Sequence, residues 1–174
     1  MKTCLVGCGG IAAVHGSVLT SGIDTEFVAA ADIKPEKAQT YAENFHTKPY
    51  PSLESMLEAE KPDVLHICTP HYLHVPMAIY SLERNINVFM EKPPAISFEQ
   101  LEELKKAAAK SDAQLGFCYQ NRYNASIRAA KDLIDSGKAG KVLGARAFVT
   151  WCRGAAYYTE SGWRGSLKTE GGGV

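Results

Sequence analysis

The stretch Lys2-Thr3-Cys4-Leu5-Val6-Gly7-Cys8-Gly9-Gly10-Ile11-Ala12, close to the start of the chain, decides its fold. Residues 2–6 form a short apolar run of the kind that becomes a buried strand, and the next six residues read G-x-G-x-x-A. Apolar residues then recur at helical spacing, at Ile11, Val14 and Val18. Strand, glycine turn and helix in this order are typical of dinucleotide-binding folds, whereas the glycine pattern alone is common by chance.

Each position of the glycine turn has a physical reason in this interpretation. Gly7 permits the tight turn, Gly9 lets the backbone approach a diphosphate, and the small Ala12 lets helix and strand pack closely. The N–H groups at the helix start, around Gly10 and Ile11, would bind the phosphates. These five residues are candidate cofactor-binding residues. The alternative is a βα turn that merely tolerates glycine.

An acidic residue follows the second predicted strand. Asp32 lies somewhat further from Gly7 than the typical ~20 residues. At the tip of a strand, its carboxylate would accept both hydroxyls of the adenosine ribose of NAD and repel the 2′-phosphate of NADP. Lys34 would instead suit that phosphate, so NAD is favoured and NADP stays open. Ile33 and Lys34 complete this segment of the candidate cofactor site, and Asp32 is also suited to cap the helix that follows.

Length and composition limit the classes of protein to consider. A chain of 174 residues is one domain by default, with room for only part of a second. Lysine plus arginine equals aspartate plus glutamate, at 19 each, so there is no electrostatic footprint for nucleic acid or for an anionic membrane. No apolar run approaches the ~20 residues that span a bilayer. The start of the chain lacks the features of a signal peptide, so we expect a cytoplasmic protein.

The five cysteines are odd in number and lack C-x-x-C spacing, and no metal site is predicted. Cys4, Cys68 and Cys118 lie in apolar runs and are expected to be small buried hydrophobic residues. Cys8 lies in the glycine turn, where a helix N-terminus would lower the pKa of its thiol. It is therefore the one candidate for a reactive cysteine, with a spacer role as the alternative.

Strands and helices alternate up to about residue 118. The predicted strands are 2–6, 26–31, 63–68, 87–90 and 114–118, and the predicted helices are 10–20, 35–44, 53–57, 74–84 and 97–110. Ser97 and Gln100 match a capping box at the start of the last helix. This alternation predicts an α/β fold, a Rossmann-type doubly wound parallel sheet with helices on both faces.

The pattern changes after residue 121. A helix over about 125–136 ends at Gly137, and 142–151 alternates apolar and polar residues with period two. That alternation predicts a half-exposed strand of a second unit. We therefore expect a dinucleotide-binding domain over 1–121 and the start of an α+β domain over 122–174.

Three further motifs follow predicted strands, at the edge where open α/β sheets bind ligands. They are Thr69-Pro70-His71-Tyr72-Leu73-His74, Glu91-Lys92-Pro93 and Gln120-Asn121-Arg122-Tyr123. With the glycine turn and Asp32, they resemble the Gfo/Idh/MocA oxidoreductases, the family of glucose–fructose oxidoreductase and inositol dehydrogenase. The E-K-P tripeptide is the most specific mark, and T-P-x-x-x-H is the second. The resemblance runs from Lys2 to Val174.

The resemblance implies an NAD(P)-dependent dehydrogenase that acts on a sugar, inositol or related polyol. It implies that Glu91 contacts the nicotinamide-side ribose and that Lys92, the catalytic residue, also lies at the cofactor and assists proton transfer at the reacting hydroxyl. It implies a cis peptide bond before Pro93, which turns Lys92 into the cleft. A lysine whose pKa is lowered by partial burial would suit that proton transfer.

The resemblance implies further cofactor contacts. Thr69 and Pro70 are expected to make them through the main chain, and Arg122 to lie near the nicotinamide end unless it forms a plain salt bridge. His74 is expected to flank the adenine or nicotinamide side, with a buried, hydrogen-bonded histidine as the alternative. His15 is expected to be structural.

The family also carries an acid and a histidine on a helix just after a G-G-G stretch such as 171–173, and this chain stops at Val174. We therefore expect the truncated cofactor half of such an enzyme, whose own activity is uncertain. A non-catalytic dinucleotide-binding module is the alternative, and E-K-P speaks against an S-adenosylmethionine protein. The strand 142–151 would expose an unpaired edge and an apolar face, so we expect self-association through it, or disorder after about Arg153.

Overall fold

A six-stranded parallel sheet dominates the computed structural model, which describes residues 1–22 and 24–172. The strands are β1 (Lys2–Val6), β2 (Glu26–Ala31), β3 (Lys48–Tyr50), β4 (Val64–Ile67), β5 (Asn87–Glu91) and β6 (Leu115–Cys118). Their order is β3-β2-β1-β4-β5-β6. This is the doubly wound order of the Rossmann fold, so the predicted fold class is confirmed.

Five helices connect the strands, and three more follow the sheet in the described residues. They are α1 (Ala12–Ser21), α2 (Pro35–Phe45), α3 (Leu53–Glu60), α4 (His74–Leu82), α5 (Phe98–Lys110), α6 (Ala125–Asp135), α7 (Ala155–Thr159) and α8 (Leu167–Glu170). Ser97 Oγ accepts a hydrogen bond from Gln100 N at 3.2 Å, as predicted for the cap of α5. The Gln100 side chain completes the cap differently, because it accepts from Ile96 N at 3.1 Å.

Residues of β1 and β2 alternate between two apolar cores, one on each face of the sheet. On β1, Cys4 and Val6 belong to the larger core, which α3, α4 and α5 cover. Leu5 belongs to the smaller core, which α1 and α2 cover. Burial on both faces explains why the strands read as nearly continuous apolar runs. Cys4 and Cys68 are buried as expected, whereas Cys118 is only half-buried, and no disulfide joins cysteines within the described residues.

The structure also contains a strand that the sequence did not predict. β3 consists of Lys48, Pro49 and Tyr50 and pairs with β2 at the edge of the sheet. An edge position tolerates proline, because one side of the strand needs no ladder hydrogen bond.

The chain divides into two compact units, one of residues 1–118 with 163–172 and one of residues 119–162. The expected second domain, 122–174, therefore differs from the second unit, because residues 163–172 group with the sheet. The boundary of the functional domains stays a prediction.

The second unit contains α6, which ends as predicted with Gly137 at a positive φ of 74°. The strand predicted over 142–151 is wrong for the structure described, because no segment within the described ranges pairs with it. Its apolar side chains are exposed instead: Leu143 by 89%, Val149 by 81% and Trp151 by 77%. The expected disorder after Arg153 is not found either, since α7 and α8 form there.

Candidate functional site

The carboxyl ends of β1, β4 and β5 lie side by side in the sheet. The glycine loop follows β1, Thr69 and Pro70 follow β4, and Glu91-Lys92-Pro93 occupies the end of β5 and the turn after it. Asp32 follows β2, the other neighbour of β1. The predicted residues of the first unit therefore meet at the edge of the sheet formed by the carboxyl ends of its strands. They lie around β1 and β4, where the order of the sheet reverses. Open α/β sheets bind their ligands at such points.

Gly7 is required by the backbone itself. Its φ is +93°, and a Cβ there would lie 2.7 Å from the backbone of Cys68 and Thr69. Its N–H donates to Ala31 O at 2.8 Å, so the turn is tied to β2. Only glycine combines this conformation with this close approach.

The next part of the loop leaves room for a ligand. A Cβ added at Gly9 or at Gly10 would meet nothing within 4 Å. Within the described residues, no side chain caps the first turn of α1, whose N-cap position is Ile11. Ala12 is completely buried, and its carbonyl accepts a hydrogen bond from Tyr41 Oη at 2.7 Å. The loop thus packs against the protein at Gly7 and Ala12 and is open between them, which fits a diphosphate.

Asp32 ties two loops together. Its Oδ2 accepts from Cys8 N and its Oδ1 from Lys34 N, each at 2.9 Å. The N-cap position of α2 is Lys34, so the expected capping role of Asp32 is wrong. Each carboxylate oxygen keeps a lone pair for a further donor, so contacts to ribose hydroxyls stay a prediction. Ile33 and Lys34 beside it are exposed.

Cys8 is not activated as a nucleophile, so of the two alternatives the reactive one is wrong. Burial, and after it the negative charge of Asp32, raises the pKa of its thiol to about 12. These effects outweigh the helix N-terminus from which a lowered pKa was predicted. The thiol is therefore protonated at neutral pH, and it points toward Ala31 O, 3.6 Å away.

Thr69 carries a polar group without a hydrogen-bond partner in the described part of the chain. Its Oγ1 is buried, and its backbone N is one of the atoms that a Cβ on Gly7 would meet. A buried hydroxyl that makes no hydrogen bond is costly, and a ligand group at this edge would satisfy it. With the open Gly9–Gly10 segment, this orphaned hydroxyl shows that the edge fits a nucleotide cofactor.

His74 is a buried histidine and does not face the cleft. It is 0% exposed, and its two ring nitrogens contact backbone carbonyls, Nδ1 that of Pro93 at 2.8 Å and Nε2 that of Thr69 at 2.9 Å. Burial lowers the pKa of His74, and this effect outweighs the contacts with the Pro93 and Thr69 carbonyls, which raise it. The buried, hydrogen-bonded histidine that the sequence analysis left open as the alternative is therefore what the structure contains. His74 holds together the loops that follow β4 and β5.

The E-K-P segment places one charge inside the protein and one outside. The peptide bond between Lys92 and Pro93 is cis, as predicted. Glu91 is buried, whereas Lys92 is exposed, so the expected partial burial of this lysine is wrong. The Lys92 ammonium is therefore available to a ligand at the edge of the sheet.

A buried polar cluster under α1 was not predicted. His15 Nε2 contacts Glu91 Oε1 at 2.9 Å, and His15 Nδ1 contacts His66 Nδ1 at 2.9 Å. His15 and Glu91 are 7% and 6% exposed. Burial raises the pKa of Glu91, but hydrogen bonds from His15 and Cys118 outweigh it and leave that pKa below its usual value. His15 and Glu91 are 76 residues apart in sequence, so no local pattern reveals the pair.

Residues 163–172 cover the loop after β4. The rings of Trp163 and His71 pack edge to face, with 4.6 Å between their centroids, and His71 Nδ1 contacts Glu170 O at 2.9 Å. Gly171 ends α8 at a φ of +89°, where a Cβ would lie 2.6 Å from Ile96 Cβ. This segment has no periodic pattern of apolar residues, because α8 is only 4 residues long.

Arg122 belongs to the second unit, in the 3-10 turn Gln120–Tyr123, where it is exposed. Its predicted place near the nicotinamide stays a prediction. Within the described ranges, no helix is both long enough and apolar enough to cross a bilayer.

The sequence also matches proteins of known class. Residues 1–119 match the GFO_IDH_MocA family, described as an oxidoreductase family with an NAD-binding Rossmann fold. The chain belongs to this family. The suspected resemblance is therefore confirmed, and the dinucleotide that this family binds is NAD.

Curated relatives of this family member include sugar and inositol dehydrogenases. D-glucoside 3-dehydrogenase of Escherichia coli is 28% identical over 94% of this chain and 46% of its own length. The inositol 2-dehydrogenase/D-chiro-inositol 3-dehydrogenase of Lacticaseibacillus casei is 29% identical over 84% of this chain and 44% of its own length. The chain thus spans about half the length of the curated relatives it matches.

Solved structures of dehydrogenases are also similar to this chain. The WlbA dehydrogenase of Bordetella pertussis, in complex with NADH and UDP-GlcNAcA, has a TM-score of 0.88 at 31% identity, covering 97% of this chain and 52% of its own. Myo-inositol 2-dehydrogenase of Lactobacillus plantarum has a TM-score of 0.76 at 26% identity, covering 82% of this chain and 43% of its own.

Proposed function

We propose that this chain carries the NAD-binding half of a dehydrogenase that oxidises a secondary hydroxyl of a sugar, inositol or related polyol. The observation that carries the proposal is the exposed Lys92 at the carboxyl end of β5, flanked by the buried Glu91 and by Pro93, whose carbonyl contacts the buried His74. A lysine at the carboxyl end of the sheet suits proton transfer, because its amine form takes a proton from a hydroxyl and its ammonium form gives one back. The names of the relatives support the substrate class.

Different residues at this edge of the sheet would bind different parts of the cofactor. The open Gly9–Gly10 segment and the start of α1 would hold the diphosphate of NAD, and Asp32 would accept the adenosine ribose hydroxyls. The Thr69 hydroxyl would gain a partner from the bound cofactor. When bound, NAD would supply the acceptor for the hydride, a hydrogen with two electrons, that leaves the substrate carbon. Lys92 in its amine form would receive the proton of the reacting hydroxyl, directly or through water, and would return it as the ammonium in the reverse direction.

A turnover assay on a polyol panel tests the proposal. We expect NADH production by the wild type and a loss of about 100-fold or more in kcat for Lys92→Ala, with NAD affinity kept within about threefold. Lys106→Ala is the matched control, because Lys106 is an exposed lysine on α5. NAD binding without turnover on any substrate would favour a non-catalytic binding module. No affinity for the dinucleotide would overturn both.

We further propose that NAD is preferred over NADP because of Asp32. Titration of both cofactors tests this. Asp32→Ala is expected to weaken NAD binding and to narrow the ratio of the two affinities, because it removes a negative charge that repels a 2′-phosphate. Lys34→Ala is the matched comparison. It should weaken NADP binding alone, because Lys34 is the one expected partner for that phosphate. A wild type that prefers NADP would contradict the assignment.

We also propose that 1–121 is the cofactor domain, that 122–174 begins the substrate domain, and that Arg122 serves the nicotinamide end. The exposed apolar side chains of 142–151 support self-association of this chain through that segment, since exposed apolar patches mark interaction surfaces. Light scattering at several concentrations tests it. We expect a dimer or larger species whose mass falls to that of a monomer in Val149→Lys. A wild-type monomer at all concentrations would contradict it.

A further inference from the structure

A cluster of two buried residues, His15 and Glu91, and two half-buried ones, His66 and Cys118, joins four elements of the first unit. His15 lies on α1, His66 on β4, and Glu91 and Cys118 are the last residues of β5 and β6. Polar atoms of His15, Glu91 and Cys118 lie within 4.8 Å of one another. The cluster lies on the α1 face of the sheet, where His66 and His15 also pack against the ring of Phe89.

The Glu91 carboxylate determines which nitrogen of His15 carries a hydrogen. The Glu91 carboxylate only accepts, so His15 Nε2 must carry a hydrogen and donate it. The contact between the two Nδ1 atoms needs one hydrogen, carried by one of the two rings. Burial, and after it the nearby His15, lowers the pKa of His66 to about 4, so His66 is neutral at physiological pH and has a single N–H.

Glu91 is the residue directly before Lys92 in the chain. A contact that fixes the Glu91 side chain therefore also restrains the backbone from which the Lys92 turn begins. On the other side of the turn, His74 Nδ1 lies 2.8 Å from Pro93 O. Histidines therefore contact both sides of the Lys92 turn, His74 at Pro93 and His15 at Glu91.

His15 also belongs to the helix that begins at the glycine loop. Its backbone N donates to Ile11 O, at 3.4 Å, in the first turn of α1. One side chain therefore links the helix that faces the diphosphate with the turn that carries Lys92. The path between the two sites is short, because it consists of the buried His15–Glu91 contact at 2.9 Å and the peptide bond from Glu91 to Lys92.

We propose that His15 is a positioning residue, which holds the Glu91 carboxylate and through it the backbone of the Lys92 turn relative to the cofactor-binding helix. The proposal rests on the proposed dehydrogenase function for its effect on turnover. It does not depend on that function for its effect on the Lys92 turn itself. A divalent metal ion in the same place is disfavoured, because Nε2 would have to give up the proton that it donates to Glu91 at 2.9 Å.

Three variants of α1 test the proposal in the full chain. His15→Leu removes the donor, His15→Gln keeps a donor of similar reach, and Val18→Ala alters an exposed residue of the same helix as a control. We expect His15→Leu to keep NAD affinity within about threefold but to lose about 100-fold in kcat, the cost of a small misplacement of a reacting group. His15→Gln should recover at least tenfold of that loss, and Val18→Ala should match the wild type.

A second measurement does not need turnover. After reductive methylation with a ¹³C label, the dimethyl-lysine signals of Lys92 and Lys106 can be assigned by replacing each lysine with arginine. We expect His15→Leu to shift the Lys92 signal and to leave the Lys106 signal in place. An unmoved Lys92 signal in a folded His15→Leu protein would overturn the proposal, as would a stoichiometric divalent metal in the purified wild type. If the wild type turns over no substrate but the Lys92 signal shifts, the proposed function fails and the positioning role stands.

Discussion

Two glycines of one loop are glycine for different reasons. At Gly7 the backbone has a φ of +93°, and a Cβ added there would lie only 2.7 Å from the Cys68–Thr69 peptide. At Gly9 the φ is not positive and a Cβ would enter open space. Gly7 is therefore demanded by the fold, whereas Gly9 is demanded, on the proposed function, by the ligand.

Alanine substitutions separate the two requirements. We expect Gly7→Ala to lower the free energy of unfolding by about 3 kcal/mol, because a left-handed conformation and a backbone contact are both violated. Gly9→Ala should stay within about 0.5 kcal/mol of the wild type in urea unfolding, yet weaken NAD binding about tenfold or more. Equal stability of the two variants would show that the described loop conformation is wrong.

At the residue scale, the local pattern predicted the roles that local geometry decides. The tight turn at Gly7 and the close packing of Ala12 follow from residues adjacent in sequence, whereas the cis bond before Pro93 was expected only from the family resemblance. A lowered thiol pKa at Cys8 failed because that pKa depends on burial and on Asp32, whose carboxylate contacts Cys8 N from the next βα loop. A contact between residues 24 positions apart cannot be read from a local sequence pattern.

At the element scale, a buried glutamate holds the amino-terminal side of the sheet together. Glu60, at the end of α3, accepts hydrogen bonds from Lys48 Nζ at 2.9 Å and Tyr50 Oη at 2.6 Å on β3, and pairs with Lys2 Nζ at 2.9 Å on β1. Hydrogen bonds from Tyr50, Lys48 and Lys2 lower the pKa of Glu60 to about 2. One ionised carboxylate thus connects the edge strand, the central strand and a covering helix.

The lowered pKa makes this contribution depend on pH. Glu60 ionises more easily in the folded chain than at its unfolded pKa of about 4.3, so the stabilisation is full above that value and is lost as pH falls toward about 2. We expect Glu60→Gln to cost about 1–3 kcal/mol at neutral pH, and its difference from the wild type to shrink on acidification. Glu58→Gln, an exposed position on the same helix, should change little at any pH. A Glu60→Gln deficit that is constant down to pH 2 would contradict the pKa.

Elements were predictable where a pattern is long enough to be periodic. The five predicted strands of the sheet and the helices between them have such patterns, and all are found. β3 was missed because three residues containing Pro49 have no alternation, and α7 and α8 because 5 and 4 residues complete barely one turn. The 142–151 segment failed for the opposite reason. Its alternation is clear, but a strand also needs a neighbour to hydrogen-bond with, which a one-dimensional pattern cannot supply.

At the scale of the whole molecule, the open glycine segment and the orphaned Thr69 hydroxyl make binding and folding interdependent. A ligand that binds only the folded chain stabilises it by RT ln(1 + [L]/Kd), which is about 2.7 kcal/mol at a hundredfold excess over Kd. For a chain of this size we expect NAD at that excess to raise the melting temperature by roughly 5–10 °C. Gly9→Ala should lose about half of this shift or more at the same NAD concentration, because a tenfold higher Kd leaves about 1.4 kcal/mol, while melting like the wild type without NAD. Lys92→Ala should keep the shift, because Lys92 is assigned to the substrate hydroxyl. If Gly9→Ala kept the full shift, the dinucleotide would bind elsewhere on the chain and the carboxyl edge of the sheet would lose its assignment.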